Sequence, residues 1–359
     1  MGIFVGSAEV RSFEKRVSEI FKSGMFSTGP QTDEVEKSWE SVFGNKSVAV
    51  SNGTTALELA MKFASPKKRP GAVLMPVIAP PMVAWAVKRA GYEVLMCDVD
   101  PVLGVAGPEE IESRITWCRQ HGLEVAGVLA VHNGGVIHPK ISWIAEFCRD
   151  HDLWMVEDCS HTHFATMNGS LAGSFGDAAA WSFYPTKVMM TAEGGIVSYR
   201  DPEMAHKAMV FSNQGKERGS GVFGEDGYNL RIGEFSAALI ACEIEFMEDI
   251  IGHRRMAAEI YSEMKIPKVT EKSIVQTSVK GLSSTFYKHT IITDLPLEEA
   301  KKKLSGLMSG DTYHFLLSSS GLFNGALKFS SSHINLKYLR DMSEQDFAEI
   351  AKKIELVLG

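Results

Sequence analysis

Residues 154–197 read WMVEDCSHTHFATMNGSLAGSFGDAAAWSFYPTKVMMTAEGGIV, and this stretch decides the fold. It opens on a short apolar run, Leu153 to Val156, that delivers Glu157 and Asp158 to the carboxyl end of a buried strand. Open α/β sheets bind their ligands at that end. A glycine-rich turn (Gly169, Gly173, Gly176) leads to a second apolar run, Ala178 to Phe183, and then to Lys187 in a short loop closed by Gly194 and Gly195. One acid and one lysine thus leave two neighbouring strands on loops.

The same alternation extends in both directions. Short apolar runs at 48–50, 73–75, 94–97, 125–131, 153–156, 178–183 and 196–199 predict strands, and helical periodicity near 55–65, 81–90, 108–121, 139–150 and 202–212 predicts the crossovers. Strands joined by helices make a mainly parallel sheet, here of seven strands in an α/β fold. Two helices precede it: one capped by Ser7, with apolar residues at Val10, Phe13, Val17, Ile20 and Phe21 and a stop at Gly24, and one holding Val35 and Trp39 and ending near Gly44. Helices near 234–247 and 249–264 connect to a smaller α/β unit, the second of them broken at Pro267. That unit holds a strand at 289–293, a helix from Leu297 to about Leu307, and a last helix opened by a Ser343/Asp346 capping box. The expected division is a large domain, 1–248, and a small C-terminal domain, 249–359. Residues 309–340, rich in serine, give no clear pattern.

An acid and a lysine so placed match what a pyridoxal 5′-phosphate (PLP) enzyme needs. A lysine amine holds the aldehyde as a Schiff base, and an acid beside the pyridine nitrogen keeps it protonated, so that the ring accepts electrons. Asp158 is the candidate acid, Lys187 the amine and Ser182 a hydroxyl near the phosphate. Taken alone, the spacing favours two solvated loop charges over a catalytic pair. The turn Ser51-Asn52-Gly53-Thr54-Thr55 precedes a helix whose N-terminal amides suit an anion, although capping by Thr54 explains the same residues.

The motifs EDCSHTHFA, GSLAGSFGD, WSFYPTK and AEGGIV, together with SNGTTAL at 51–57 and GYNLRIGEFSAAL at 227–239, resemble the DegT/DnrJ/StrS family of fold-type I PLP aminotransferases. The resemblance implies a phosphate cradle of Gly53, Thr54 and Thr55 with Ser182, and a polar cofactor contact from His161. It also implies that Asn229 reaches the phosphate of a partner subunit, giving a homodimer with shared active sites, with Arg231 bracing the same turn. Relatives carry an aromatic ring on the pyridine face where this chain has Pro80; either the stacking is aliphatic, or Trp85 or Trp181 replaces it. His132 and Gly135 match a family turn, His132 as a histidine that holds it. Lysine at 187, where dehydrating relatives have histidine, points to transamination: an amino group moves from glutamate to a keto sugar, a nucleotide-linked keto-deoxyhexose, in amino-sugar biosynthesis. Alternatives are a cyclitol ketone, a sugar elimination, or a non-catalytic PLP-fold protein with a binding or regulatory role. The small domain departs from its relatives in length, which implies a different acceptor pocket.

Composition sets outer bounds. The 359 residues are 45% hydrophobic and carry net charge −7 without a basic run, which argues against a nucleic-acid surface. No signal-peptide pattern or bilayer-spanning apolar run is visible, so the expected location is cytoplasmic, away from membranes. Five scattered cysteines, an odd number with no C-x-x-C, fit reduced thiols. Asp158, Cys159, His161 and His163 lack the spacing of a metal site, and no metal is expected. His163 reads as structural.

Overall fold

A computed structural model describes residues 6–65, 70–219, 224, 226–266, 274–310 and 323–358. Pro267 and the serine-rich residues 311–322 lie outside the described residues. Helices α1 (Ser7–Ser23) and α2 (Pro30–Phe43) lead into strand β1 (Lys46–Val50). Then come α3 (Gly53–Lys62), β2 (Ala72–Pro76), α4 (Pro81–Arg89), β3 (Glu93–Cys97), α5 (Pro108–Gln120), β4 (Val125–Val131), α6 (Ile141–Asp150) and β5 (Trp154–Asp158). Two short strands, β6 (Thr166–Met167) and β7 (Ser170–Leu171), precede β8 (Ala178–Ser182), β9 (Gly195–Tyr199) and α7 (Pro202–Ser212).

The sheet has seven strands in the order β1-β9-β8-β5-β4-β2-β3. Pairings among β3, β2, β4, β5 and β8 are parallel, and β9 runs antiparallel to both β8 and β1. Helices cover both faces: one buried cluster includes Trp39, Leu74, Ile144 and Trp181, and the other Leu59, Met75, Val156 and Tyr199. Alternate residues of each strand therefore enter opposite cores, which is why the strands read as unbroken apolar runs.

Helices α8 (Glu234–Glu245) and α9 (Met247–Ser262) lead to α10 (Val275–Ser278), β10 (Leu282–Ser283), β11 (His289–Ile292), α11 (Leu297–Lys303), α12 (Asn324–Ser332), β12 (His333–Leu336) and α13 (Glu344–Leu358). A third cluster, with Tyr261, Ile291, Ile334, Phe347 and Ile354, holds α9, α13 and the β11–β12 pair together. Ser343 and Asp346 cap α13 reciprocally: the Ser343 amide donates to Asp346 Oδ2 at 2.7 Å and the Asp346 amide to Ser343 Oγ at 3.2 Å.

Several local expectations need correction. Gly6, and not Ser7, caps α1, its amide bound by Glu9 Oε2 at 2.9 Å. Helix α11 ends at Lys303, one turn short of Leu307. Within the serine-rich stretch, α12 forms because Asp98 of the large sheet accepts the Gly325 and Ala326 amides, each at 2.8 Å, while Phe329 fills the space over Gly104. Both partners are remote in sequence, so no local signal marks this helix.

Candidate active site

Lys187 and Asp158 meet at the carboxyl ends of β8 and β5. They line a cavity of about 70 Å³ with Pro80, Asn133, His161 and Ser182. It opens into a larger cavity of about 820 Å³ that shares Gly53, Thr54, Met82, Ser182 and Lys187 and adds Thr55, Trp85 and Tyr184. Burial pushes the Lys187 amine down to about 8 from 10.5; Asp158 opposes this, and Lys288 adds to it. At neutral pH a useful fraction of the amine is unprotonated, a requirement for a nucleophile.

His161 faces that amine, with Nε2 3.0 Å from Lys187 Nζ. Its Nδ1 accepts from the Gly134 amide at 3.3 Å, which places the ring proton on Nε2. Burial, and then the Lys187 charge, hold His161 well below its ordinary pKa, so the ring is neutral. Tyr287 stacks on it, centroids 3.9 Å apart and planes within 10°. Asp158 ends β5; its Oδ1 accepts from the Ser160 amide at 3.1 Å. The adjacent Glu157 faces away and serves structure, accepting from the amides of Gly173, Phe175 and Gly176 at 2.7–2.8 Å and pairing with His132 at 3.0 Å. The glycine-rich turn is thus folded around Glu157, and His132 holds the turn. With Cys159, these two side chains form the only group among the described residues with metal-ligand proximity. Every Glu157 oxygen in it already has hydrogen-bond donors.

A cradle lies at the start of α3. The helix is capped by Asn52, and not Thr54: Asn52 Oδ1 accepts from the Thr55 amide at 2.9 Å. The Thr55 amide is therefore engaged within the cap, and the first-turn amides left without a partner among the described residues are those of Gly53 and Thr54. A Cβ on Gly53 would sit 2.3 Å from Ser182 Cβ, so only glycine lets this turn lie against the hydroxyl. Two amides at a helix N-terminus beside a serine hydroxyl suit a phosphate. Together with an unprotonated amine and a carboxylate across the cavity, they fit PLP.

Other expected residues are spread more widely. Pro80 caps α4 and walls the smaller cavity with Val83 and Val131. Trp181 is enclosed in the core against Trp39 and Phe43, and Trp85 lines only the outer cavity, so neither ring takes the place left by the proline. Asn229 is exposed and bridges to Asn213, between Tyr228 and Leu230 of the outer cavity's lining, and Arg231 donates to Asn213 Oδ1 at 3.3 Å. His163 is buried edge-on against Trp39 and Phe183, its pKa pushed down to about 3.

Three residues escaped sequence reasoning. Tyr287 arrives on the loop before β11. Asn133 follows the family-like His132. Arg254, 2% exposed on α9, donates to the carbonyls of Phe286 at 3.0 Å and Lys187 at 3.5 Å and lies 4.3 Å from the Tyr338 ring. Only Arg254 had a signal: an arginine in phase with the buried Ile250, Ala257, Ala258 and Tyr261.

Comparison with known proteins shows the family and the fold. The profile of the DegT/DnrJ/EryC1/StrS aminotransferase family matches residues 8–355. A dTDP-4-dehydro-2,3,6-trideoxy-D-glucose 4-aminotransferase of Saccharopolyspora spinosa is 29% identical over 265 residues, covering 69% of this chain and 66% of that protein. GDP-perosamine synthase of Escherichia coli O157:H7 is 28% identical over 251 residues, covering 68% and 64%. The matched stretch thus spans just under two thirds of these relatives' length. A DegT DnrJ EryC1 StrS aminotransferase from Brucella abortus shares the fold at a TM-score of 0.86 over 100% of both chains, with 23% identity. On the profile match across nearly all its length, this chain belongs to the DegT/DnrJ/EryC1/StrS aminotransferase family.

Proposed function

We propose that the protein is a PLP-dependent aminotransferase that moves an amino group from glutamate to a nucleotide-linked keto sugar in amino-sugar biosynthesis. The observation that carries this is the Lys187 amine, held near pKa 8 by burial, 3.0 Å from a neutral His161 and across a cavity from Asp158. When bound, PLP supplies a carbon that carries the amino group and a ring that accepts an electron pair. Asp158 holds a proton on the pyridine nitrogen. Gly53, Thr54 and Ser182 bind the phosphate, and His161 offers its Nε2 proton to an oxygen near the amine. Lys187 Nζ takes the proton from the substrate carbon that bears nitrogen and returns one, as general base and then acid.

The names of the relatives support a keto-sugar substrate, and the outer cavity has room for one. Asn229, exposed between Tyr228 and Leu230 at the rim of the outer cavity yet not itself lining it, supports a homodimer in which it completes the partner's phosphate site. Among the described residues no helix is long and apolar enough to cross a membrane, and all five cysteines are free and buried, which supports a reducing, cytoplasmic setting.

The deciding experiment is an absorbance spectrum of the purified, PLP-supplemented protein before and after glutamate, with Lys187→Ala alongside. The expected result is a visible band that bleaches with glutamate and is altered in the variant. Absence of any band sinks the proposal and favours a protein that uses the fold for binding alone.

A further inference from the structure

Asn133 ends the β4 loop with 1% of its surface exposed. Its Nδ2 donates to the Ile78 carbonyl at 2.5 Å, which fixes the carboxamide: turned over, it would set one oxygen against another. Oδ1 is then left as an acceptor with no partner among the described residues, although it is buried. An orphaned buried acceptor destabilises the fold, a cost removed when a ligand supplies a donor. Asn133 lines the same 70 Å³ cavity as Lys187, Asp158 and His161. The cavity is small and both residues line it, so a ligand atom that meets Asn133 lies close to the reacting amine. The neighbouring polar groups are engaged: His161 uses both ring nitrogens, and Asp158 accepts from Ser160.

We propose that Asn133 is a ligand-contacting residue whose Oδ1 accepts a hydrogen bond from an O–H or N–H group of the molecule bound beside Lys187. Such a donor has two sources, a group of the cofactor itself or a hydroxyl next to the ketone of the acceptor, and only a hydroxyl gives specificity. The inference rests on the aminotransferase reading for the identity of these molecules. A site built to hydrogen-bond a hydroxyl discriminates against analogues that lack it far more sharply than an apolar pocket does.

The test uses PLP-loaded wild type, Asn133→Leu and Asn133→Ala. In the first arm the visible band is titrated with pH without substrate. A midpoint moved by about one unit, a tenfold change in proton affinity, assigns the donor to the cofactor. In the second arm, protein bleached with glutamate is offered dTDP-4-dehydro-6-deoxy-D-glucose or its 2,3-dideoxy analogue, and recovery of the band is timed. Wild type recovering about tenfold faster with the hydroxylated ketone, with that preference lost in the variants, assigns the donor to the substrate. An unmoved titration overturns the proposal when it is combined with a hydroxyl preference that is absent or unchanged in the variants, or with no recovery from either ketone. If neither variant folds, both arms are run on Asn133→Ser, and an unmoved titration with an unchanged hydroxyl preference overturns the proposal. A wild type that shows no visible band fails the aminotransferase reading instead.

Discussion

The Lys187 amine governs behaviour at the scale of single residues, and its ionisation is measurable before any substrate is known. With its pKa held at about 8, the cofactor-free protein should condense with an aldehyde at a rate that is half-maximal near pH 8, where a solvated lysine would require 10.5. The same depression affects stability. Between those two pH values the unfolded chain keeps a proton on this lysine that the folded chain has released, so stability from this group rises with pH across that window. Urea unfolding of the cofactor-free protein at pH 7.5 and 9.5, compared with Lys187→Met, reads this difference. Replacement of Asp158 by Asn leaves the cavity's shape but removes the charge opposite the pyridine nitrogen. Turnover should fall by at least about a hundredfold while the phosphate cradle still binds PLP, as equilibrium dialysis would show.

Cavity residues near strand ends were legible: Asp158, Lys187, His161 and Ser182 sit in motifs whose spacing the sheet imposes, and they line the cavities. Tyr287 was not, because its place over His161 depends on how the chain returns from α9, and no local pattern encodes a contact across more than a hundred residues. Pro80 was legible as a departure, yet its consequence emerged only when Trp181 proved to be enclosed in the core. The Thr55 amide was misjudged because Asn52, one residue before the glycine, competes for it.

At the scale of elements, glycine and glutamate perform the finest work. Glu234, the first residue of α8, caps α2 across two hundred residues: Oε1 accepts from the Gly29 and Thr32 amides at 2.8 and 3.0 Å, and Oε2 from the Gln31 amide at 2.8 Å. Glu234→Ala strands these buried amides, and a loss of about 2–4 kcal/mol is expected, read as a lower urea midpoint without a change in fold. Gly53→Ala acts on another property. Its Cβ collides with the Ser182 side chain and backbone, so PLP affinity should drop at least about tenfold, and the cofactor-free protein should lose about 1–3 kcal/mol from overpacking, read by urea unfolding. The strands were readable because the sheet buries both faces and leaves long apolar runs. Helix α12 was not, because serines fill it and its cap, Asp98, lies far upstream.

At the scale of the whole molecule, the proposal of shared sites makes a strict prediction. Lys187→Ala and Asn229→Ala homodimers should each be inactive or nearly so. If Asn229 serves the partner's phosphate, a mixed dimer concentrates both lesions in one site and leaves the other intact, so mixing and re-equilibrating the two variants restores activity. If Asn229 serves its own chain, both sites of the mixed dimer are damaged and no activity returns.

The sheet order also says when the molecule becomes competent. β1 pairs with β9 alone among the strands, and the Asn52-Gly53 turn lies so close to Gly195 that a Cβ there would fall 2.4 Å from the Asn52 carbonyl oxygen. The turn that cradles the anion, already against Ser182 of β8, therefore lacks its second wall until a strand made about 150 residues later has threaded between β1 and β8. On a ribosome the chain passes most of its synthesis with an unfinished first strand, and a nascent chain stalled before Gly195 emerges should not retain PLP, however long the earlier sheet has had to form. Cofactor capture thereby reports completion of the large sheet, so that loading occurs only after β9 has sealed the cradle.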